Sequence, residues 1–176
     1  MAPDRHLERW IVTHRYGGLD PVFQGLSLIG SRGLIWILIS LVLAAVWRRP
    51  NIFLWVTATA LVADLIATGF KYVFGRDRPP LVDPFPKPLL HTPSTPSFPS
   101  GHATMSFACA VVLSRAAPRF TIPFFVLAAL VSFSRNYVGV HYPLDTLAGA
   151  VLGTAIGFGM QYLIGWLARR RGPAAP

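Results

Sequence analysis

Residues 51–71 read NIFLWVTATALVADLIATGFK: from Asn51 to Phe70 a single ionisable side chain, Asp64, interrupts the apolar run, and Lys71 ends it. A helix rises about 1.5 Å per residue, so a run of this length crosses the roughly 30 Å hydrocarbon core of a bilayer. Comparable runs flank it. Leu34 to Trp47 stops at Arg48-Arg49-Pro50, and Gly101 to Ala116, Phe120 to Phe133 and Leu144 to Ala168 follow downstream. Hydrophobic residues make up 53% of the chain and charged residues 13%, against roughly 25% charged in an ordinary soluble domain. The expected fold is therefore all-α: an integral membrane helical bundle of about five to six transmembrane helices plus an N-terminal interfacial helix.

The interfacial helix is read from Leu7, Trp10, Ile11 and His14, which recur at helical spacing against Arg5, Glu8, Arg9 and Arg15. Met1 to Tyr16 carries charge throughout, so no cleavable signal is expected and insertion rests on the spans themselves. Val22 to Ile29 is too short to cross a bilayer and reads as a half-helix bounded by Gly30, Arg32 and Gly33. The 176 residues fit one membrane-embedded domain: an N-terminal region 1–33, a helical bundle 34–168 and a basic tail 169–176. Prolines at 80, 84, 86, 88, 93 and 96 mark Pro80 to Phe98 as a loop without regular helix or sheet. Leu81, Val82, Phe85, Leu89 and Leu90 make that loop apolar enough to dip into the interface. Gly149, Gly153 and Gly157 lie four apart on one stripe of the last span, a packing surface whose alternative use is a homodimer contact.

A net charge of +9 and a pI near 10.8 raise nucleic acid as a partner. The basic residues are instead dispersed in clusters between apolar runs, where membrane proteins meet anionic headgroups, and no nucleic-acid partner is expected. Cys109 is the only cysteine, which excludes an intramolecular disulfide and a thiol metal cluster. The seven carboxylates, Asp4, Glu8, Asp20, Asp64, Asp77, Asp83 and Asp145, form no paired set suited to magnesium, so neither a metal nor another cofactor is expected. Asp64 sits about 10 Å deeper than Lys71 by helical rise and is expected in a polar seam near Thr68. Arg76 and Asp77 are expected to form a local surface pair.

Three short stretches carry the chemistry: Lys71-x6-Arg78-Pro79, Pro99-Ser100-Gly101-His102 and Ser134-Arg135-x5-His141-x3-Asp145. They supply three fixed cations, two imidazoles and a carboxylate. Spans alternate in direction, so the end of the second, the start of the third, the end of the fourth and the start of the fifth share one membrane face, and the three stretches converge there. Taken singly, the cations read equally as snorkelling anchors and the histidines as helix-start residues. Taken together, the cations can neutralise a phosphoryl group while one histidine attacks phosphorus and the other protonates the leaving oxygen. A membrane-embedded phosphatase is the expectation.

The three stretches resemble the signature motifs of the type 2 phosphatidic acid phosphatase superfamily, with no departure at any signature position. The resemblance implies that His141 is the nucleophile and that Asp145 holds its ring in the attacking tautomer. It implies that His102 is the general acid and then the base that activates water. Lys71, Arg78 and Arg135, with the Ser100 hydroxyl and the Gly101 N–H, would bind the non-bridging oxygens.

The superfamily includes phosphatases for several lipids, and by analogy a polyprenyl (undecaprenyl-type) phosphate or diphosphate is the first choice of substrate. Phosphatidic acid and phosphatidylglycerol phosphate come next. A vanadium haloperoxidase-like enzyme and a non-catalytic lipid-binding or transport protein are remote alternatives. Seven arginines fall on the non-catalytic side: Arg48, Arg49, Arg115, Arg119, Arg169, Arg170 and Arg171. Nine basic residues fall on the other side, six once Lys71, Arg78 and Arg135 are set aside. The cluster at 169–171 favours a multi-pass protein of the plasma (inner) membrane with its active site on the outer face.

Overall fold

A computed structural model describes residues 3–170; Arg171 and the rest of the basic tail lie outside the described residues. The elements are helical: α1 (Pro3–Thr13), α2 (Asp20–Ile29), α3 (Leu34–Val46), α4 (Pro50–Phe74), a single turn α5 (Pro79–Val82), α6 (Gly101–Ala116), α7 (Thr121–Tyr137) and α8 (Pro143–Arg170). Three segments, 50–82, 118–137 and 143–170, are long and apolar enough to cross a membrane. A fourth crossing is available if α2 and α3 are one span broken by a 58° bend. On that count the half-helix would continue the short first span of the sequence upstream. Arg32 and Gly33 make the break, at φ of 51° and 72°, a left-handed conformation that a regular helix excludes.

α6 is the axis of the bundle. From Ala103 to Leu113 it is buried on nearly every side, with only Phe107 partly exposed. α4, α7, α8 and α3 surround it. Trp36 is fully buried and its indole Nε1 donates to Ser106 Oγ (3.0 Å), which locks α3 against α6. α8 runs parallel to α6 and approaches it along the glycine stripe. A Cβ on Gly149, Gly153 or Gly157 would stand 2.6, 2.2 or 2.6 Å from α6 atoms, closer than real atoms allow. The outer faces of the bundle, among them Leu54, Leu61, Leu65, Ile122, Val126, Val151 and Phe158, are exposed and apolar, as a lipid-facing surface must be.

Several boundaries differ from the sequence reading. α7 continues past Phe133 to Tyr137, which puts Ser134 and Arg135 inside its last turn. The proline-rich segment is not wholly irregular: Pro79–Val82 forms one helical turn, because proline is tolerated at the first helical positions where its missing N–H costs nothing. Asp64 is exposed on α4 rather than set in a buried seam. Gly101, whose Cβ would lie 3.9 Å from Asp64 Oδ1, has no side chain to cover it.

Candidate active site

Four helix ends meet on one side of the bundle and bring the three motifs together. α4 delivers Lys71 in its last turn, the segment after it carries Arg76 and Arg78, and α6 opens with Ser100, Gly101 and His102. α7 delivers Arg135, and the turn into α8 carries His141 and Asp145. Ser100 N donates to the Asp145 carbonyl (2.9 Å), which ties the start of α6 to the first turn of α8.

His141 is 2% exposed and its two ring nitrogens face opposite chemistry. Nε2 lies 3.0 Å from Arg78 Nη1. A guanidinium has donors only, so Nε2 must be the accepting nitrogen. The ring proton therefore sits on Nδ1, which faces Asp145 Oδ2 and Ser97 Oγ, each at 3.3 Å. Burial first, then the charges of Arg78, Arg135 and Lys71, hold the His141 imidazole well below the usual histidine range. The ring is thus neutral at physiological pH, with its lone pair directed at a cation.

Asp145 is fully buried and all its neighbours are donors. Oδ2 accepts from Ser97 Oγ in a short contact and from Tyr142 N (3.0 Å), besides facing His141. Oδ1 accepts from Arg76 Nη1 at 2.6 Å. Arg76 is therefore no surface partner of Asp77; its side chain turns inward between Asp145 and Asp4.

The three expected phosphate-binding cations are all buried here, and they are held differently. Lys71 Nζ donates to the carbonyls of Pro96 (2.8 Å) and Ser97 (3.4 Å). Arg78 uses its donors on Thr95 O (2.8 Å), Val140 O (2.9 Å), Thr95 Oγ1 (3.2 Å), Pro96 O (3.3 Å) and His141 Nε2. These two side chains therefore fasten the proline-rich loop over the site. Arg135 Nη1 donates to Ser27 Oγ in a short contact, while its Nε is buried with no partner among the described residues, as is Ser100 Oγ. Buried donors are as a rule paired, so both groups are free to engage an anion.

His102 Nε2 lies 3.2 Å from the Ser27 carbonyl and 3.5 Å from Ser31 Oγ. A carbonyl only accepts, so the proton is on Nε2. Arg135 lies within electrostatic reach of both imidazoles. Ser27, Asp4 and Ser97 were given no role in the sequence reading, and Arg76 was placed there in a surface pair with Asp77. Only Ser97, three residues before Ser100 in a loop leading to a motif, carried a positional hint.

The model of the PAP2 superfamily matches residues 52–169 of this chain. The decaprenylphosphoryl-5-phosphoribose phosphatase of Mycobacterium tuberculosis is 37% identical over 141 residues, which cover 80% of this chain and 77% of that protein. The undecaprenyl-diphosphatase of Sulfolobus acidocaldarius is 36% identical over 133 residues, covering 72% of this chain and 62% of that protein. Among solved structures, Aquifex aeolicus LpxE is similar with a TM-score of 0.75 and 26% identity, over 92% of this chain and 96% of that one.

Proposed function

This chain belongs to the PAP2 superfamily, and on that premise we propose that it is a multi-pass membrane lipid phosphatase that removes phosphate from a polyprenyl phosphate or diphosphate through a phosphohistidine. The observation that carries the chemistry is the pairing of a lone pair on His141 Nε2 with the free donors of Arg135 Nε and Ser100 Oγ. Incoming phosphoryl oxygens take those donors and the Gly101 N–H at the start of α6. One oxygen also takes the N–H that Arg78 gives to Nε2, which releases the lone pair for attack. A bond forms from Nε2 to phosphorus as the bond to the lipid oxygen breaks, and His102, entering the step as an imidazolium beside the bound phosphate anion, passes one ring proton to that oxygen and is left neutral. Asp145 steadies the positive charge on His141. His102, now neutral, removes a proton from water, whose oxygen attacks phosphorus and frees His141 with release of inorganic phosphate.

Two observations support a lipid with a long tail. The relatives from M. tuberculosis and S. acidocaldarius are named for polyprenyl-linked substrates. Leu81, Val82 and Phe85, exposed on the loop that Lys71 and Arg78 fasten, form an apolar edge beside the site. A plasma (inner) membrane location with the site on the outer face fits the arginines of the opposite end.

The test is phosphate release by the purified protein in detergent, with undecaprenyl diphosphate, phosphatidylglycerol phosphate, phosphatidic acid and a water-soluble phosphate ester compared by kcat/KM. Undecaprenyl diphosphate is expected to lead, and His141→Ala to reduce release to background. A soluble ester turned over as well as the lipids would overturn the lipid reading, and a His141→Ala protein with more than a few per cent of wild-type turnover would overturn the nucleophile. A lead for a glycerophospholipid would replace the polyprenyl substrate.

A further inference from the structure

α1 buries two acids that the chemistry above does not use, Asp4 and Glu8, and Asp4 is tied to the residues around the site. Asp4 is 7% exposed, and its two oxygens are committed to different elements. Oδ1 accepts from Leu144 N (2.9 Å) and so caps the start of α8 from a segment 140 residues away. Oδ2 accepts from Arg76 Nη2 at 2.5 Å. The other terminal nitrogen of Arg76 reaches Asp145, and the guanidinium lies over the Tyr142 ring at 4.0 Å from its centroid. Arg76 is thus held on both sides and from one face, and it in turn fixes Asp145 Oδ1 so that Oδ2 meets His141.

The charges explain why a second carboxylate belongs there. A lone arginine against Asp145 would orient it but would also neutralise the charge that Asp145 offers to His141. Asp4 supplies that charge again, leaving the Asp4, Arg76 and Asp145 group with the net negative charge of one carboxylate. Asp4 and Arg76 make their side-chain hydrogen bonds to each other, to Leu144 N and to Asp145, and none to Arg135 or Ser100.

We propose that Asp4 and Arg76 are positioning residues for the Asp145–His141 pair, so that seating of the N-terminal interfacial helix completes the catalytic apparatus. The inference rests on the reading of His141 as nucleophile. Leu7 and Trp10 on the outer side of α1 are 49% and 60% exposed, so the helix that carries Asp4 inward presents an apolar face to the membrane interface.

The test is a double-mutant cycle on lipid-phosphate turnover, with thermal melting of every variant. Arg76→Ala and Asp4→Ala are expected to lower kcat about tenfold or more, since a small misplacement of reacting groups is costly in rate, with KM within twofold. The double variant should lose far less than the product of the two single losses, because Asp4 acts mainly through Arg76 and its cap on Leu144 N is its one independent contact. Arg76→Lys keeps the charge and guards against misfolding, yet it replaces the two separated terminal nitrogens of a planar fork with a single one and loses the stacking over Tyr142, so its kcat should also fall severalfold. Asp4→Glu should recover part of the rate. Arg9→Ala, which removes only the exposed pair between α1 and Asp83, should stay within twofold of wild type. A kcat within twofold of wild type in folded Arg76→Lys and Asp4→Ala overturns the proposal, as do multiplying losses in the double variant or a loss confined to KM. His141→Ala is measured alongside: if it is active the nucleophile reading fails, whereas if it is dead and the pair is silent only this inference fails.

Discussion

His141 is poised by what its neighbours are unable to do. Arg78 cannot accept a proton and Asp145 has none to spare, so the tautomer with a bare Nε2 follows from the partners alone. The depressed basicity of the ring has a measurable sign. The neutral form attacks, and burial with the surrounding cations extends that form to acid pH, so the acid limb of kcat/KM should lie well below pH 6.5. A pH profile of kcat/KM between pH 4 and 9 checks this, and an acid limb at or above 6.5 would contradict the buried, cation-ringed environment. At this scale the sequence marked positions where chemistry imposes fixed spacing, Lys71, Arg78, His102, Arg135, His141 and Asp145, and the fold gathers them on one side of the bundle. The sequence reading gave Asp4 and Ser27 no role and Arg76 the wrong partner, because their partners lie 69 to 140 residues away and leave no local period.

Among the helices, the spacing of α6 and α8 is set by backbone and not by side chains. Gly153 faces the Thr104 carbonyl with no room for a methyl group. Gly153→Ala should force the pair apart at a cost of about 1–3 kcal/mol and lower the melting temperature by several degrees, with a loss of activity as His102 and Asp145 separate. Gly159→Ala, on the same helix with nothing within 4 Å of the added carbon, should melt at or above the wild-type temperature; equal behaviour of the two variants would count against the close approach. The long spans were readable because arginine and proline bracket each apolar run. The break between α2 and α3 was readable only as an interruption, since the direction of a bend depends on what each half packs against. The turn at Pro79–Val82 escaped because proline was weighed as a breaker when it also starts helices.

As a whole molecule the protein is electrically lopsided. At the end away from the site stand Arg48, Arg49, Arg115, Arg119, Arg169 and Arg170 with no carboxylate among the described residues there, and Arg119 and Arg170 lie over Trp47 and Trp166. On the proposed topology this belt lies on the cytoplasmic side, as the positive-inside rule prescribes. Cysteine in place of exposed His91, in the loop over the site, should react with an impermeant maleimide in intact cells, whereas cysteine in place of exposed Arg49, between α3 and α4, should react only after permeabilisation; the reverse pattern would invert the topology. Cys109 is buried and should stay silent. The enclosure of α6 bears finally on how the protein is made. With 16 residues that include His102, Thr104, Ser106 and Ser114, it is too short and too polar to leave the translocon for lipid by itself. It can be retained only once its neighbours are there to receive it, so the helix that forms the centre of the finished bundle must be among the last to settle during biogenesis.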